Sequence, residues 1–378
     1  MENKRKKINN HFIQKAFAKN FSNNGLLKYT YYKPNSKVED EKTFNVNEID
    51  TSKHPIVKKK FYSREIEDEM NEIENDGIKV IKKIAYYSNN NIDNKISLNG
   101  KELYHLKFYF LLSNIRTNKI REFISNLNGD HIFIDAVKKD KRSVKDIQES
   151  QIKTIIDEYK RYKKKELLLS TKFFDRYWES ENHSSYALKD CTPEKIVLFT
   201  AYNIMKSRLH IFKFNKNKLF LHDGIAFSYN HSCGGIITFM PISPNIGIMF
   251  YLDPPITIKS SKWDFFKIDI LEKKSSIIYV NEYQIQQEKR KFISEKKLND
   301  SQFEKDRLDR YFFLLIASNF FHDDDKHTND ILEESEEVQD ICNAIALIQN
   351  KDSFIIYQKK EHIKDAEIKM KKINILWG

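Results

Sequence analysis

Five polar side chains in this sequence are of types that bind metal ions or phosphate: His11, Glu67, Glu74, Arg116 and Asp223. Glu67 and Glu74 are seven residues apart, which places them within about 20° of each other on one face of a helix. Carboxylates together with an imidazole form an oxygen and nitrogen ligand set that suits Mg²⁺ or Mn²⁺. Such an ion activates water for phosphodiester hydrolysis, and an arginine neutralises the charge that develops on the phosphate. The prediction is therefore three carboxylate ligands, His11 as general base or ligand, and Arg116 as the phosphate clamp.

His222, the neighbour of Asp223, is a further candidate metal ligand. With His231 and Cys233 it offers imidazole and thiolate groups to a transition metal, and the fourth ligand would come from Asp223 or from elsewhere in the chain. This spacing matches no standard zinc pattern. The sequence contains no Walker loop, GxGxxG, GxSxG or HExxH motif, so it supports neither nucleotide hydrolysis, dinucleotide redox chemistry nor serine hydrolase chemistry, and we expect no nucleotide cofactor.

These residues also have structural explanations. Glu67 and Glu74 belong to a segment with many other acids, and on a solvated helix face one of them would only form an ion pair with Arg116. A lone histidine such as His11 caps or packs more often than it binds a metal. The stretch from His322 to His327 resembles a cation site, but it is also typical of an acidic, solvated linker.

The candidate residues belong to elements that hydrophobic periodicity predicts. Ser63 is the predicted cap of a helix that reaches about Tyr86 and carries both glutamates. Arg116 falls in a second helix, over roughly residues 100–127, and Asp223 lies between two hairpins in residues 208–252. Further predicted helices cover residues 11–21, 146–169, 193–207, 280–294, 300–321 and 341–349, with strands at 26–32 and 354–357 and a long surface connection over 33–60.

Helices, then hairpins, then helices, without βαβ alternation, predict an α+β fold. We expect it to be mostly helical, with a central antiparallel sheet built from the hairpins of residues 208–252. In the first of these strands Leu209 and Ile211 are followed by Phe212 and Phe214, which indicates alternation with one slip. The predicted organisation is a main domain (1–321), an acidic linker (322–340) and a small C-terminal unit (341–378).

Composition sets the broad class of the protein. With 40% apolar and 13% aromatic residues the chain is a folded one, and 65 basic against 54 acidic side chains give it a formal net charge of +11. That excess favours contact with nucleic acid or another anionic surface, although a lysine-rich composition also simply keeps a protein in solution. Three cysteines without CxxC spacing, no secretory signal and no apolar run long enough to cross a bilayer predict a cytoplasmic protein without membrane contact.

Six segments occur in the order found in one protein family: NHFIQKAFAKNFSNNGLLKYTYY, FYSREIEDEMNEIE, FYFLLSNIRT, LFLHDGIAF, FMPISP and VNEYQIQQEKRKFIS. Over about residues 9–294 the chain thereby resembles the domain-of-unknown-function family numbered 4238, which is uncharacterised and mainly bacterial. The resemblance places Glu67 and Glu74 on the family's acidic positions and Arg116 in its Arg-Thr segment. Asp223 falls in the family's Ser-Asp-Asn-Pro signature, of which only the aspartate is present here.

The residues and the charge together predict a nucleic-acid-directed, metal-dependent nuclease or toxin-like effector of a bacterial, anti-phage defence system, with Mg²⁺ or Mn²⁺ as its metal. The alternative is a non-catalytic module that binds nucleic acid or a protein partner from the same defence operon. Convergence of His11, Glu67, Arg116 and Asp223 in one pocket favours the enzyme. Carboxylates scattered in solvent favour the module.

Overall fold

The structure is a computed structural model that describes residues 9–11, 13–33, 41–48, 56–59, 61–90, 95–125, 137–172, 192–230, 236–252, 328–334, 336–349 and 354–374. It confirms the α+β class. The main helices are α1 (Lys15–Ala18), α2 (Arg64–Asn90), α3 (Gly100–Ile115), α4 (Asn118–Ser125), α5 (Val144–Lys163), α6 (Pro193–Lys206), α7 (Glu336–Gln349) and α8 (Lys360–Asn374).

The strands are β1 (Asn9–His11), β2 (Leu26–Tyr31), β3 (Lys42–Asn45), β4 (Val57–Lys59), β5 (Lys95–Ser97), β6 (Arg208–Phe214), β7 (Leu221–His222), β8 (Phe227–Asn230), β9 (Ile236–Ser243), β10 (Ile246–Leu252), β11 (Thr328–Glu334) and β12 (Phe354–Tyr357). A six-stranded sheet has the order β5-β11-β6-β10-β9-β8, and a four-stranded sheet has the order β3-β2-β12-β7. All described pairs are antiparallel except β11 with β6. Strands β6, β8, β9 and β10 of the hairpin region lie together in the larger sheet, as predicted. The first predicted hairpin is wrong, because β6 pairs with β10 and β11 while β7 pairs with β12 in the four-stranded sheet.

Both faces of the six-stranded sheet are buried. Leu209 and Ile211 face one core cluster, which also contains side chains of α2, α3, α5 and α6. Phe212 and Phe214 face a second cluster, with side chains of α7 and α8. The side chains of β6 therefore alternate regularly, and the slip inferred from the sequence is wrong, because a strand covered on both sides carries apolar residues at successive positions.

Helix α2 forms where periodicity places it. The Ser63 hydroxyl accepts the Ile66 N–H at 3.4 Å, and an apolar stripe from Ile66 to Ile84 is buried. Helix α3, against which α2 packs, is buried continuously from residue 105 to residue 113, as in a core helix. Its start is fixed by a capping box between Asn99 and Glu102.

The second predicted helix is two helices in the structure. Helix α3 ends at Ile115, and α4 begins at Asn118. The Thr117 hydroxyl accepts the Ile120 N–H at 3.3 Å, which caps the new helix. Gln148 of α5 donates to the carbonyls of Ile115 and Thr117. The carbonyls at the end of α3, which have no partner within the helix, are thus satisfied by a tertiary contact that periodicity does not reveal.

The N-terminal expectations were partly wrong. The predicted helix over 11–21 is shorter and is preceded by β1: α1 is followed by a 3-10 turn at Lys19–Phe21. The predicted surface connection contains β3, which pairs with β2, and β4, which pairs with β1. These strands depend on partners distant in sequence. The predicted helices over 280–294 and 300–321 lie outside the described residues.

The C-terminal segments contribute to both large sheets. Strand β11 lies in the predicted acidic linker, yet it separates β5 from β6, and β12 lies between β2 and β7. Lys218 is within 3.5 Å of Asp340 and 3.1 Å of Asp365, and the Asn343 side chain bonds the backbone of Phe220 and of Lys218. The predicted boundary at residues 321 and 322 lies outside the described residues.

In the part of the chain that the structure describes, no helix combines the length and apolar character needed to span a bilayer.

The approach of α2 to α3 provides a stability test. A Cβ added at Gly77 would overlap Tyr109, so Gly77→Ala should lower the free energy of unfolding by about 1–3 kcal/mol through overpacking, although alanine favours helix by about 1 kcal/mol. Gly100→Ala is the matched control, because a Cβ there has nothing within 4 Å. Urea denaturation of both variants decides the matter, and equal stability of Gly77→Ala and the parent protein would contradict the packing argument.

Candidate functional site

Glu67, Glu74 and Arg116 lie together. Arg116 follows the last turn of α3, where its N–H donates to the Leu112 carbonyl at 3.0 Å, and its side chain is only 2% exposed. The Arg116 guanidinium forms an ion pair with the Glu74 carboxylate of α2. Glu67, two turns earlier on the same helix, is half-buried and its charge acts on Arg116. We call Glu67, Glu74, Arg116 and the neighbouring Tyr62 the Arg116 site.

Burial dominates the electrostatics of the Arg116 site. It lowers the pKa of Arg116 from its usual value, and the charge of Glu67 opposes that shift. Burial also raises the pKa of Tyr62 well above its usual range, despite the opposing charges of Arg116 and Arg121. A buried guanidinium remains charged only with a close counter-ion, and Glu74 supplies it. The contact therefore joins α2 to the end of α3. The ion pair agrees with the structural explanation of these residues, but the solvated face predicted for Glu74 is wrong, because Glu74 is only 9% exposed.

Arg121 lies next to the Arg116 site. Its guanidinium donates to the Gln148 side chain at 2.8 Å and to the Phe61 carbonyl at 2.9 Å, and it lies 3.5 Å from the centre of the Phe61 ring. All these contacts hold the segment before α2 against α4 and α5. They are directed inwards, into the protein.

Asp223 and His222 lie on the four-stranded sheet. His222 ends β7, whose neighbour is β12, and is fully buried. Asp223 is 5% exposed and lies in the turn after β7, where Ile225 adopts a positive φ of 58°. Burial and then the charge of Asp223 raise the pKa of Tyr31, which belongs to β2 of the same sheet. Asp223 and Tyr31 are thus neighbours.

The remaining predicted ligands are located only in part. His11 belongs to β1 and pairs with Val57, but its side chain is outside the described part of the structure, as are His231, Cys233 and the stretch from His322 to His327. Among the side chains that are described, no three His, Cys, Asp or Glu residues are grouped to hold a metal ion. The cation beside Glu74 is Arg116. The described carboxylates consequently do not form a Mg²⁺ or Mn²⁺ site by themselves.

A second polar cluster, which the sequence analysis missed, joins α2, α3 and α5. Asp76 accepts the Tyr159 hydroxyl at 2.6 Å, the Lys163 ammonium at 3.0 Å and the Lys79 ammonium at 3.3 Å. The His105 Nε2 lies 3.8 Å from the same carboxylate. Beside it the rings of Tyr104 and Tyr162 stack, with 4.8 Å between their centres. We call Asp76, His105, Tyr159 and Lys163 the Asp76 cluster.

The groups of the Asp76 cluster shift one another's pKa values. Burial alone would raise the pKa of Asp76, but the bonds from Tyr159 and Lys163 and the nearby His105 together hold it well below its usual range. Burial lowers the pKa of His105 from its usual value, and the charge of Asp76 opposes that shift. Burial and the bond to Asp76 raise the pKa of Tyr159. The cluster thus holds one carboxylate that accepts from one ammonium and one hydroxyl, with the imidazole of His105 3.8 Å away.

Two signals in the sequence point to the Asp76 cluster. His105 is an isolated polar ring within the apolar run LYHLKFYF, and a buried histidine needs a partner. Tyr159 and Lys163 are four residues apart, so they share a helix face in a stretch that the composition suggests is entirely solvated. Neither signal identifies the partner helix, because Asp76 is distant in sequence.

The Arg116 site provides a test of buried charge. Arg116→Met leaves the Glu74 carboxylate buried without its counter-ion, and we expect a loss of about 3–5 kcal/mol in unfolding free energy. The double variant Glu74→Leu/Arg116→Met removes both charges and should recover most of that loss. Denaturant titration of both variants and of Glu74→Leu measures the coupling, and additive losses would show that the pair is not coupled.

The Asp76 cluster predicts an acid-sensitive fold. Because the folded-state pKa of Asp76 is depressed, its contribution to stability is complete above about pH 4 and disappears as the pH falls through the folded-state value. Asp76→Asn should therefore be less stable than the parent at pH 7, and the difference should shrink at lower pH. Urea titrations at several pH values test this, and a difference independent of pH would exclude the Asp76 charge as its source. Asp68→Asn is the matched control, because Asp68 is an exposed carboxylate on the same helix.

Comparison of the chain with protein-family models, with characterised proteins and with solved structures gives no match. The likeness to the family numbered 4238 accordingly rests on the six segments alone.

Proposed function

We propose that the protein is a module that binds nucleic acid without cleaving it. The observation that carries the non-catalytic part is the burial of Arg116, which is 2% exposed and paired with Glu74. An arginine that stabilises a phosphate in a transition state has to reach the substrate. The nucleic-acid part is supported by the net charge of +11.

A second candidate is the metal-dependent nuclease or toxin-like effector of an anti-phage defence system. Its support is the close placement of Glu67, Glu74 and Arg116, three of the residues that the chemistry requires. In this case the Glu74–Arg116 pair would open, and a cation such as Mg²⁺ or Mn²⁺ would bind the released carboxylate with ligands from outside the described residues. For the non-catalytic module, the alternative ligand to nucleic acid is a protein partner from the same defence operon.

The two candidates are separated by assaying binding and cleavage together. Labelled single- and double-stranded RNA and DNA are incubated with the full chain in Mg²⁺, Mn²⁺ or EDTA. The module predicts binding that weakens as salt rises and substrates that stay intact in every buffer.

Variants make the cleavage outcome specific. Glu67→Ala removes a half-exposed carboxylate and leaves the buried pair in place, and Asp223→Asn removes the charge on the sheet. Metal-dependent cleavage that both variants abolish would overturn the module and establish the nuclease. If the protein neither binds nor cleaves these substrates, both candidates are refuted. The net charge would then be only a feature of the composition.

A further inference from the structure

We infer that the C-terminal half of α2 is a binding face for single-stranded nucleic acid, an assignment that rests on the proposed function and specifies its ligand. The face consists of Lys79, Lys82, Tyr86 and Tyr87, with Asn90 at its end, and we call it the lysine–tyrosine face. Lysines would contact the phosphates, and the tyrosine rings would stack on unpaired bases.

Helix geometry brings three of these side chains to one side, and Tyr87 lies about 80° from Lys79 around the helix. At 100° per residue, Lys79, Lys82 and Tyr86 fall within about 60° of one another. All three are exposed, whereas the opposite side, with Ile81 and Ile84, is fully buried. The distance from Lys79 to Tyr86 along the axis is about 10 Å, the length of about three stacked nucleotides.

The tyrosines are unusually open for large aromatic residues. Tyr86 is 65% exposed and Tyr87 is 42% exposed, and the two rings meet edge to face with 5.6 Å between their centres. At this helix end the Asn90 side chain donates to the Tyr86 carbonyl at 2.8 Å, and the Asn89 side chain accepts from the Asn245 side chain at 3.3 Å. A stacking platform requires exposed rings on a rigid element, and this helix end provides both.

The charge along α2 is divided, and its acidic half is already neutralised within the fold. Glu69 pairs with Lys153 and Lys160 of α5, and Lys163 of the same helix pairs with Glu72 and Asp76. The fold thereby compensates the acids at the contact with α5. In the basic half that follows, Lys83 pairs with Glu102 of α3, whereas Lys79 and Lys82 are exposed.

In the basic half, the two lysines of the face remain available. Lys82 forms no ion pair with any residue that the structure describes. Lys79 is 76% exposed and lies 3.3 Å from Asp76, a carboxylate that Lys163 also neutralises at 3.0 Å. The helix dipole does not account for these lysines, because its effect is confined to the last turn, which carries no basic residue. A polyanion lying along this half of α2 would be complementary to it.

The lysines and tyrosines of this face together favour unpaired nucleic acid as the ligand. In a duplex the base faces are stacked on each other, so the rings of Tyr86 and Tyr87 would find only phosphates and edges. In a single strand each base offers a free face, and base–aromatic stacking tolerates any sequence. We therefore expect little sequence preference and weaker binding of duplexes.

The test is fluorescence anisotropy with fluorescein-labelled oligo-dT, oligo-U and a matching duplex, titrated with the full chain in EDTA. Tyr86→Ala/Tyr87→Ala should weaken single-strand binding by about tenfold or more, while Tyr86→Phe/Tyr87→Phe retains the rings and should stay near the parent. Lys79→Gln/Lys82→Gln should reduce the slope of log affinity against log salt by about 1.4, because each lysine that no longer neutralises a phosphate lowers it by about 0.7.

Helix α8 supplies matched controls, with circular dichroism melting to verify folding of every variant. Lys360→Gln/Lys364→Gln removes two exposed helix lysines, and Ile368→Ala removes an apolar side chain that is 58% exposed. Both should bind as the parent does. If the parent binds single strands and the α2 variants bind them equally well, the assignment of the lysine–tyrosine face is wrong and the proposed function stands. If the parent binds no oligonucleotide, the proposed function fails as well, and equal binding of duplex and single strand would overturn the stacking role.

Discussion

The close contact between α2 and α3 is the constraint on which the helical half of this protein depends. Gly77 allows the two backbones to approach, because any side chain there would overlap Tyr109. An approach this close brings Glu74 to Arg116 at one end and Asp76 to His105 at the other. Polar groups buried at such a contact are costly unless they are paired; Glu74 pairs with Arg116 across the contact, and Asp76 is neutralised by Lys163 of α5. The two polar sites are thus consequences of one packing arrangement.

The same arrangement determines which surfaces remain for function. Helix α3 is covered by α2, α5 and the six-stranded sheet, where the rings of Phe110 and Phe250 meet edge to face with their centres 4.8 Å apart. Arg116, at the end of α3, therefore stabilises the fold. Helix α2 is covered only on one side, and beyond Asp76 its other side carries lysines and tyrosines. A binding role is easier to reconcile with this distribution than catalysis at the buried pair.

The two larger sheets connect early and late segments of the described chain. The parallel pair of the six-stranded sheet joins β11 to β6, and the four-stranded sheet places β12 between β2 and β7. Lys218 then holds α7 and α8 to the sheet through Asp340 and Asp365. Because the C-terminal segments fill interior positions in both sheets, their hydrogen bonds are part of the central architecture.

The sequence by itself determined the α+β class, helix α2 with its Ser63 cap, the Thr192-Pro193 start of α6 and the hairpin turn at Pro244–Asn245. Those features follow from periodicity and from side chains that act on their own neighbours. Only the tertiary structure decided that Glu74 neutralises Arg116, that Asp76 accepts from Tyr159 and Lys163 of α5, and that β11 enters a sheet. Each of these depends on partners many residues away, and periodicity carries no information about which distant surfaces meet.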